Sequence, residues 1–217
     1  AGGHRPAFRL GRFIERIALI FVWILLIAAF GAAMPQAFLN WGNFSIMFAS
    51  YAPAAVLALA IIVPLTAGDY DLSVGATLTL SSGLIGVLNV WHQMPIGLVL
   101  VIAIGVGALV GMVNALFIIY FRIPSLVVTL GTTSLMTGIV QWMTNSSTIG
   151  GIDNALVMAV VGGRLFGVPY AFYYAMIVVV AMWYVFDYTP LGRKLLFVGR
   201  GREVARLNGI AVDHVRF

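Results

Sequence analysis

Charge is missing from this chain over lengths that a water-soluble fold of its size does not tolerate. None of Asp, Glu, Lys or Arg occurs between Arg16 and Asp69, between Asp71 and Arg122, or between Arg122 and Asp153. A helix rises about 1.5 Å per residue, so roughly 20 apolar residues cross a hydrocarbon core of about 30 Å, and each gap holds one or two crossings. The 217 residues are 62% hydrophobic and only 9% charged, against about 25% charged in an average soluble domain. The fold class predicted is an all-α polytopic membrane helix bundle of about six spans, with broken helices and a short cytoplasmic helix.

Six spans are expected, at about 17–34, 44–66, 74–90, 96–121, 126–143 and 168–186. The first exceeds the signal-peptide core of about 7 to 15 residues and is read as a retained anchor. Pro35 stops it, because the pyrrolidine ring removes a donor and clashes with the preceding turn. Pro53 and Pro64 predict, for the same reason, that the second span is kinked or broken. His92, Gln93 and Pro95 form one short connection; Arg122, Pro124 and Ser125 form another. The link 144–167 is rich in Gly, Ser and Asn, with a short apolar helix near 155–161. The organisation predicted is a cytoplasmic amino-terminal segment (1–16), a transmembrane region (17–187) and a cytoplasmic loop (188–217).

Arg5, Arg9, Arg12 and Arg16 precede the first span and place the amino terminus inside. Six crossings then put Arg122 and everything after Asp187 inside as well, leaving Arg164 alone of the twelve Lys and Arg residues outside. The span count and the positive-inside bias agree. The net charge of +5 is therefore a matter of membrane orientation, not of nucleic-acid binding. The absence of cysteine excludes disulfides, thiolate metal sites and thiol nucleophiles from these residues. His92 has no second ligand at metal-binding spacing, and no convergent catalytic set appears. No Gly-x-x-x-x-Gly-Lys-Ser/Thr loop is present, so any nucleotide hydrolysis belongs to another subunit.

Three segments carry more information. In the first, Asp69 and Asp71 are the only acids amid a long apolar stretch. Mid-helix Asp costs about 2.5 to 3.5 kcal/mol on insertion scales, so these acids belong at a break, a polar cavity or an interface. A two-residue spacing turns them to different helix faces, which argues against an acid–base pair. Asp71 is placed to cap the third span through amides near Ser73 and Val74; alternatively Asp69, Asp71, Ser73 and Gly75 lie on a solute path. In the second, Pro124 suits the first turn of a helix, and Gly131 with the hydroxyls after it suits close packing and hydrogen bonds across the bundle. Asn89, Asn114, Gln141 and Asn145 read as interhelical packing residues. In the third, Gly199 and Gly201 precede a short helix of about 202–208, with Gly209 at its C-terminal cap. Val204 and Leu207 offer an apolar ridge there, flanked by the charges of Arg202, Glu203 and Arg206, a composition suited to a small protein contact.

These segments resemble the ribose-type ABC transporter permeases. The run Asp71-Leu-Ser-Val-Gly75 is similar to that family's Gly-Gly-Ile-Asp-Leu-Ser-Val-Gly-Ser signature, with Asp69 and Tyr70 standing where Gly and Ile are usual. The run 123–131 resembles its Val-Pro-Pro-Phe-Ile-Ala-Thr-Leu-Gly. Glu203, Ala205, Gly209 and Ile210 match its cytoplasmic loop, Gly-Gly-Asn-x-Glu-Ala-Ala-x-x-x-Gly-Ile. The resemblance implies an inner-membrane permease that is not itself an enzyme and needs no cofactor of its own. It implies as partners a cytoplasmic ATP-binding subunit carrying ATP and Mg, an external solute-binding protein, and a second permease subunit in a homo- or heterodimer. ATPase coupling would fall to Glu203, Val204, Ala205, Arg206, Leu207 and Gly209, and the solute would be a sugar or sugar-like molecule. The chain opens on Ala1, not on Met, and stops in a polar stretch, so an amino-terminal portion of a longer permease is expected. The competing reading, an ion-gradient-driven secondary transporter or channel, would have to use Asp69 or Asp71 as its relay.

Overall fold

The computed structural model describes the backbone from Ala7 to Phe217 and side chains from Ala18 onward. It forms two units, Ala1–Met47 and Phe48–Phe217. The first contains α1 (Ala7–Ala33) and α2 (Pro35–Phe38), and the start of α3 (Trp41–Thr66). Pro35 ends the first span as expected and occupies the first turn of α2, where its missing N–H is not needed. Phe30 stacks on Phe38, with ring centroids 5.9 Å apart, and folds α2 back along the end of α1. Arg9, Arg12 and Arg16 lie within α1.

The second unit is built on three helices: α4 (Val74–Gly86), α5 (Ile96–Ala115) and α6 (Ser125–Met143), with α4 packed against both others. Single π-helical turns, Val87–Trp91 and Leu116–Tyr120, extend α4 and α5. A short helix α7 (Asn154–Val157) and a two-residue hairpin, β1 (Arg164–Leu165) with β2 (Val168–Pro169), lead into α8 (Tyr170–Tyr188). Three short helices follow: α9 (Pro190–Arg200), α10 (Arg202–Leu207) and α11 (Val212–Arg216).

Among the described residues five helices are long and apolar enough to cross a membrane, and Ala18–Ala33 is a shorter apolar helix. The five coincide with the second to sixth expected spans, and the shorter apolar helix with most of the first. At most 17% of the most apolar window of any of the five is buried. The outer surface therefore carries Val101, Ile104, Leu109 and Ile177 outward, the arrangement of helices whose surroundings are as apolar as their core. Of the two outcomes expected at Pro53 and Pro64, a break is not seen: α3 runs unbroken through both. The break comes after it, at 67–73, where the chain is irregular before α4 begins.

Two connections share one design. After each π turn a non-glycine residue takes the left-handed conformation, Gln93 (φ 54°) and Arg122 (φ 56°), and a proline two residues on caps the next helix. Left-handed residues at helix ends satisfy carbonyls of the last turn. Here the Met94 and Ile123 amides donate to the Leu88 and Phe117 carbonyls at 3.0 and 3.3 Å. Pro124 is thus the residue before the first turn of α6, one position earlier than the sequence suggested.

Candidate functional site

An irregular backbone between two helices has no ladder of its own and takes its hydrogen-bond partners from elsewhere. The break between α3 and α4 finds them on one face of α6. Ser125, Thr129 and Thr133 recur at the four-residue spacing that stacks side chains along a helix. The Tyr70 amide donates to Ser125 Oγ at 3.0 Å; the Thr129 and Thr133 hydroxyls donate to the Tyr70 and Leu72 carbonyls at 3.3 and 3.1 Å. Both threonines share the same proton with carbonyls of their own helix, at 2.9 and 2.7 Å.

A second polar chain crosses the bundle below this ladder. Asp71 Oδ1 accepts from the Ser73 amide at 2.8 Å and from Ser73 Oγ at 2.6 Å. Ser73 Oγ accepts in turn from Asn114 Nδ2 at 2.9 Å, and Asn114 Oδ1 from Thr132 Oγ1 at 2.6 Å. Ser73 and Asn114 are buried, and buried polar groups of this kind are stable only when paired. Asp71 therefore orients Ser73 and, through it, α5 and α6. The amide cap expected from Asp71 reduces to the one bond from Ser73, which precedes α4 without a side-chain cap of its own. Gly75 and Gly131 have open space where a Cβ would stand, so Gly131 serves no close approach among the described residues. Asp71 and Ser73, with Thr77 and Ser81, line a groove of 310 Å³ between α4 and α5.

Asp69 has a different environment. Arg216 grips its carboxylate with a two-pronged contact, Nε to Oδ2 at 2.7 Å and Nη2 to Oδ1 at 2.9 Å. Arg202 adds Nη2 to Oδ1 at 2.9 Å and to the Gly68 carbonyl at 3.0 Å. The Asp69 and Arg216 side chains are 15% and 9% exposed. Forked arginine–carboxylate contacts are the strongest of the charge-assisted hydrogen bonds. Both arginines belong to the polar segment after α8, so that segment sits at the α3–α4 break. Gly199 fixes the same junction by backbone contact: a Cβ there would collide with the Thr66 carbonyl.

The three short helices form their own small core from Val198, Ala205 and Val212. Ala205, one of the residues expected to serve ATPase coupling, is wholly buried in it and holds α10 in place. Arg202, expected on the outer surface, turns inward to Asp69. What remains outward is Leu207, 87% exposed, and Val204, 56% exposed, with Glu203 paired to Arg206 at 3.0 Å. Arg206 also reaches Asp213 at 3.5 Å, tying α10 to α11. Gly209 takes φ 78° after α10, with the Ile210 amide returning to the Ala205 carbonyl at 3.0 Å, the left-handed helix ending that glycine adopts without strain.

Three stretches expected on one side of the membrane, 67–73, the Arg122 turn and 188–217, meet at one end of the bundle. They surround an open cavity of 920 Å³ lined by Tyr70, Arg122, Ser125, Arg202, Glu203 and Arg216, among others. The opposite end gathers the α4–α5 turn and the link after α6. There Asn89 Oδ1 accepts from the Asp153 amide at 2.8 Å, and Ile149 packs where Gly86 leaves room. Among the described residues no three His, Cys, Asp or Glu side chains converge as metal ligands. Sequence reading did not find Arg216, Ser125 or Thr129 as parts of this site. The four-residue hydroxyl spacing marked a polar face on α6, but nothing in it marked the backbone that the face would hold.

The site is thus the irregular link between α3 and α4, held against α6 at one end of the bundle, with a polar cassette of short helices clamped to it. The family model for the branched-chain amino acid transport system / permease component matches residues 43–217. The chain belongs to this permease family. Its relatives include the ribose import permease protein RbsC of Haemophilus influenzae, 28% identical over 96% of this chain and 65% of that protein. The autoinducer 2 import system permease protein LsrC of Enterobacter sp. is 30% identical over 89% of this chain and 57% of its own length. The fructose import permease protein FrcC of Rhizobium meliloti is 30% identical over 90% and 56%. The chain thus spans between half and two thirds of these relatives. No solved structure matches it.

Proposed function

We propose that the chain is the membrane-spanning part of an ABC importer permease that passes a sugar or sugar-like solute across the bacterial inner membrane. In this reading a periplasmic or extracellular binding protein delivers the solute, and a separate cytoplasmic subunit binds ATP and Mg and drives the cycle. A second permease subunit completes the path. The amino terminus and the charged end of the bundle face the cytoplasm. The observation that carries the reading is α10: a short helix footed on buried Ala205, which presents Val204 and Leu207 to solvent beside Glu203. Exposed apolar residues on a rigid footing are what a small protein contact uses, and a few such residues supply most of the binding energy.

Family membership and the import functions named for the relatives support the solute class. Asp69 and Asp71 are both engaged, by two arginines and by Ser73, which leaves little for an ion relay to use. Replacing Leu207 and Val204 together by Asp in the full-length protein is expected to lower co-purification of the ATPase subunit by about tenfold or more, the effect of removing a central contact. ATP-driven uptake of radiolabelled ribose or fructose into proteoliposomes should fall in parallel. Unchanged assembly and uptake would contradict the docking role.

A further inference from the structure

The α10 surface and the bundle interior are separate places, and Asp69 is what joins them. We propose that Asp69 is the positioning residue that transmits movement of the α9–α11 cassette to the α3–α4 break. The inference rests on the permease reading and adds the route by which a docked subunit would act on the spans. The cassette is a unit: Val198, Ala205 and Val212 form its core, and Arg206 bridges to Asp213. Two of its arginines, Arg202 at the start of α10 and Arg216 at the end of α11, converge on one carboxylate. Any tilt of the cassette moves both at once.

Asp69 can pass that movement on because the residues beside it are held by the bundle. Tyr70 bonds through its amide and carbonyl to Ser125 and Thr129 of α6. Two residues further, Asp71 and Ser73 lead through Asn114 to Thr132, so α4, α5 and α6 share one chain of bonds. The break itself is irregular and carries Gly68 at φ 80°, so it can change backbone angles without unwinding a helix. Coupling needs an element that both sites bias. The break is touched by the cassette on one side and by the bundle on the other.

The test uses the full-length permease in complex with its ATPase subunit in nanodiscs, with Leu72→Cys as a reporter on an otherwise cysteine-free background. Leu72 lies in the break with its side chain exposed. Maleimide labelling is compared between nucleotide-free and vanadate-trapped states. The labelling rate of the reporter alone is expected to differ about fivefold or more between them, the lower range of site-to-site coupling. In Asp69→Asn that difference should disappear while subunit assembly and ATP hydrolysis persist; Asp69→Glu should restore it. A merely structural role would lower assembly and hydrolysis together and would not be rescued in this readout. If Asp69→Asn does not assemble, Asp69→Asn with Arg216→Gln, which removes the unbalanced charge, carries the same test. A nucleotide-dependent difference that persists undiminished without the carboxylate overturns the proposal, as does its absence from the parent complex. Failure of the parent to bind the ATPase subunit at all would instead overturn the permease reading on which the proposal rests.

Discussion

The two ends of the α4–α6 bundle use the same turn and are held together in different ways. At each, a π turn gives way to a left-handed residue, Gln93 or Arg122, and a proline starts the next helix. Around Gln93 the bonds that cross between segments are neutral: Asn89 Nδ2 donates to the Met94 carbonyl at 3.0 Å, and Asn89 Oδ1 accepts from the Asp153 amide at 2.8 Å. Around Arg122 the neighbours are charged, and the Asp69 ion pairs bridge 133 and 147 residues of sequence. Turn geometry is thus generic to the bundle, whereas the arginine–aspartate cluster is confined to one end. A partly buried, forked ion pair is costly to break and directional when intact. Under the proposed coupling this suits an end that moves as a unit, and neutral bonds suit an end that closes a loop.

The contrast can be broken most severely at Gly199. Gly199→Ala drives a Cβ into the Thr66 carbonyl, and backbone does not yield as a flexible side chain would. The expected loss is about 1–3 kcal/mol, seen as a lower thermal midpoint of the purified protein in detergent. At the neutral end Asn89→Ala removes two hydrogen bonds from a half-buried site. It should cost about 1 kcal/mol in the same assay and leave ATPase assembly untouched. The smallest effect has the opposite sign: Gln93→Gly relieves a left-handed residue and should stabilise by about 0.5–1 kcal/mol. A loss at Asn89 as large as that at Gly199 would erase the distinction between the ends.

Much of the bundle was legible in the sequence because it follows from length, apolar runs and proline. The starts and ends of the spans, the stop at Pro35, the short helix after Gly201 and its end at Gly209 all depend on local chemistry. What was not legible depends on distant partners. Pro53 and Pro64 are obstacles that α3 absorbs, and the helix ends at Thr66, two residues after the second proline and two before Gly68 takes its positive φ. Ala205 reads as part of an exposed helix until Val198 and Val212 close over it. Asp69 reads as an expensive isolated acid. Its explanation, Arg202 and Arg216, lies in a segment that sequence reading assigned to topology and docking. Asp71 was closer to legible, since its partner Ser73 is two residues away, but the onward bonds to Asn114 and Thr132 were not.

The central claim is that the charged end of the bundle, with the break and its cassette, faces the cytoplasm while the neutral end faces outward. Single cysteines at His92, Arg122 and Leu207, in a cysteine-free version of the full-length protein, test it in intact cells with a membrane-impermeant maleimide. The account predicts that position 92 is labelled from outside and that positions 122 and 207 are labelled only after the membrane is opened. Labelling of 122 or 207 in intact cells, or protection of 92, would contradict it.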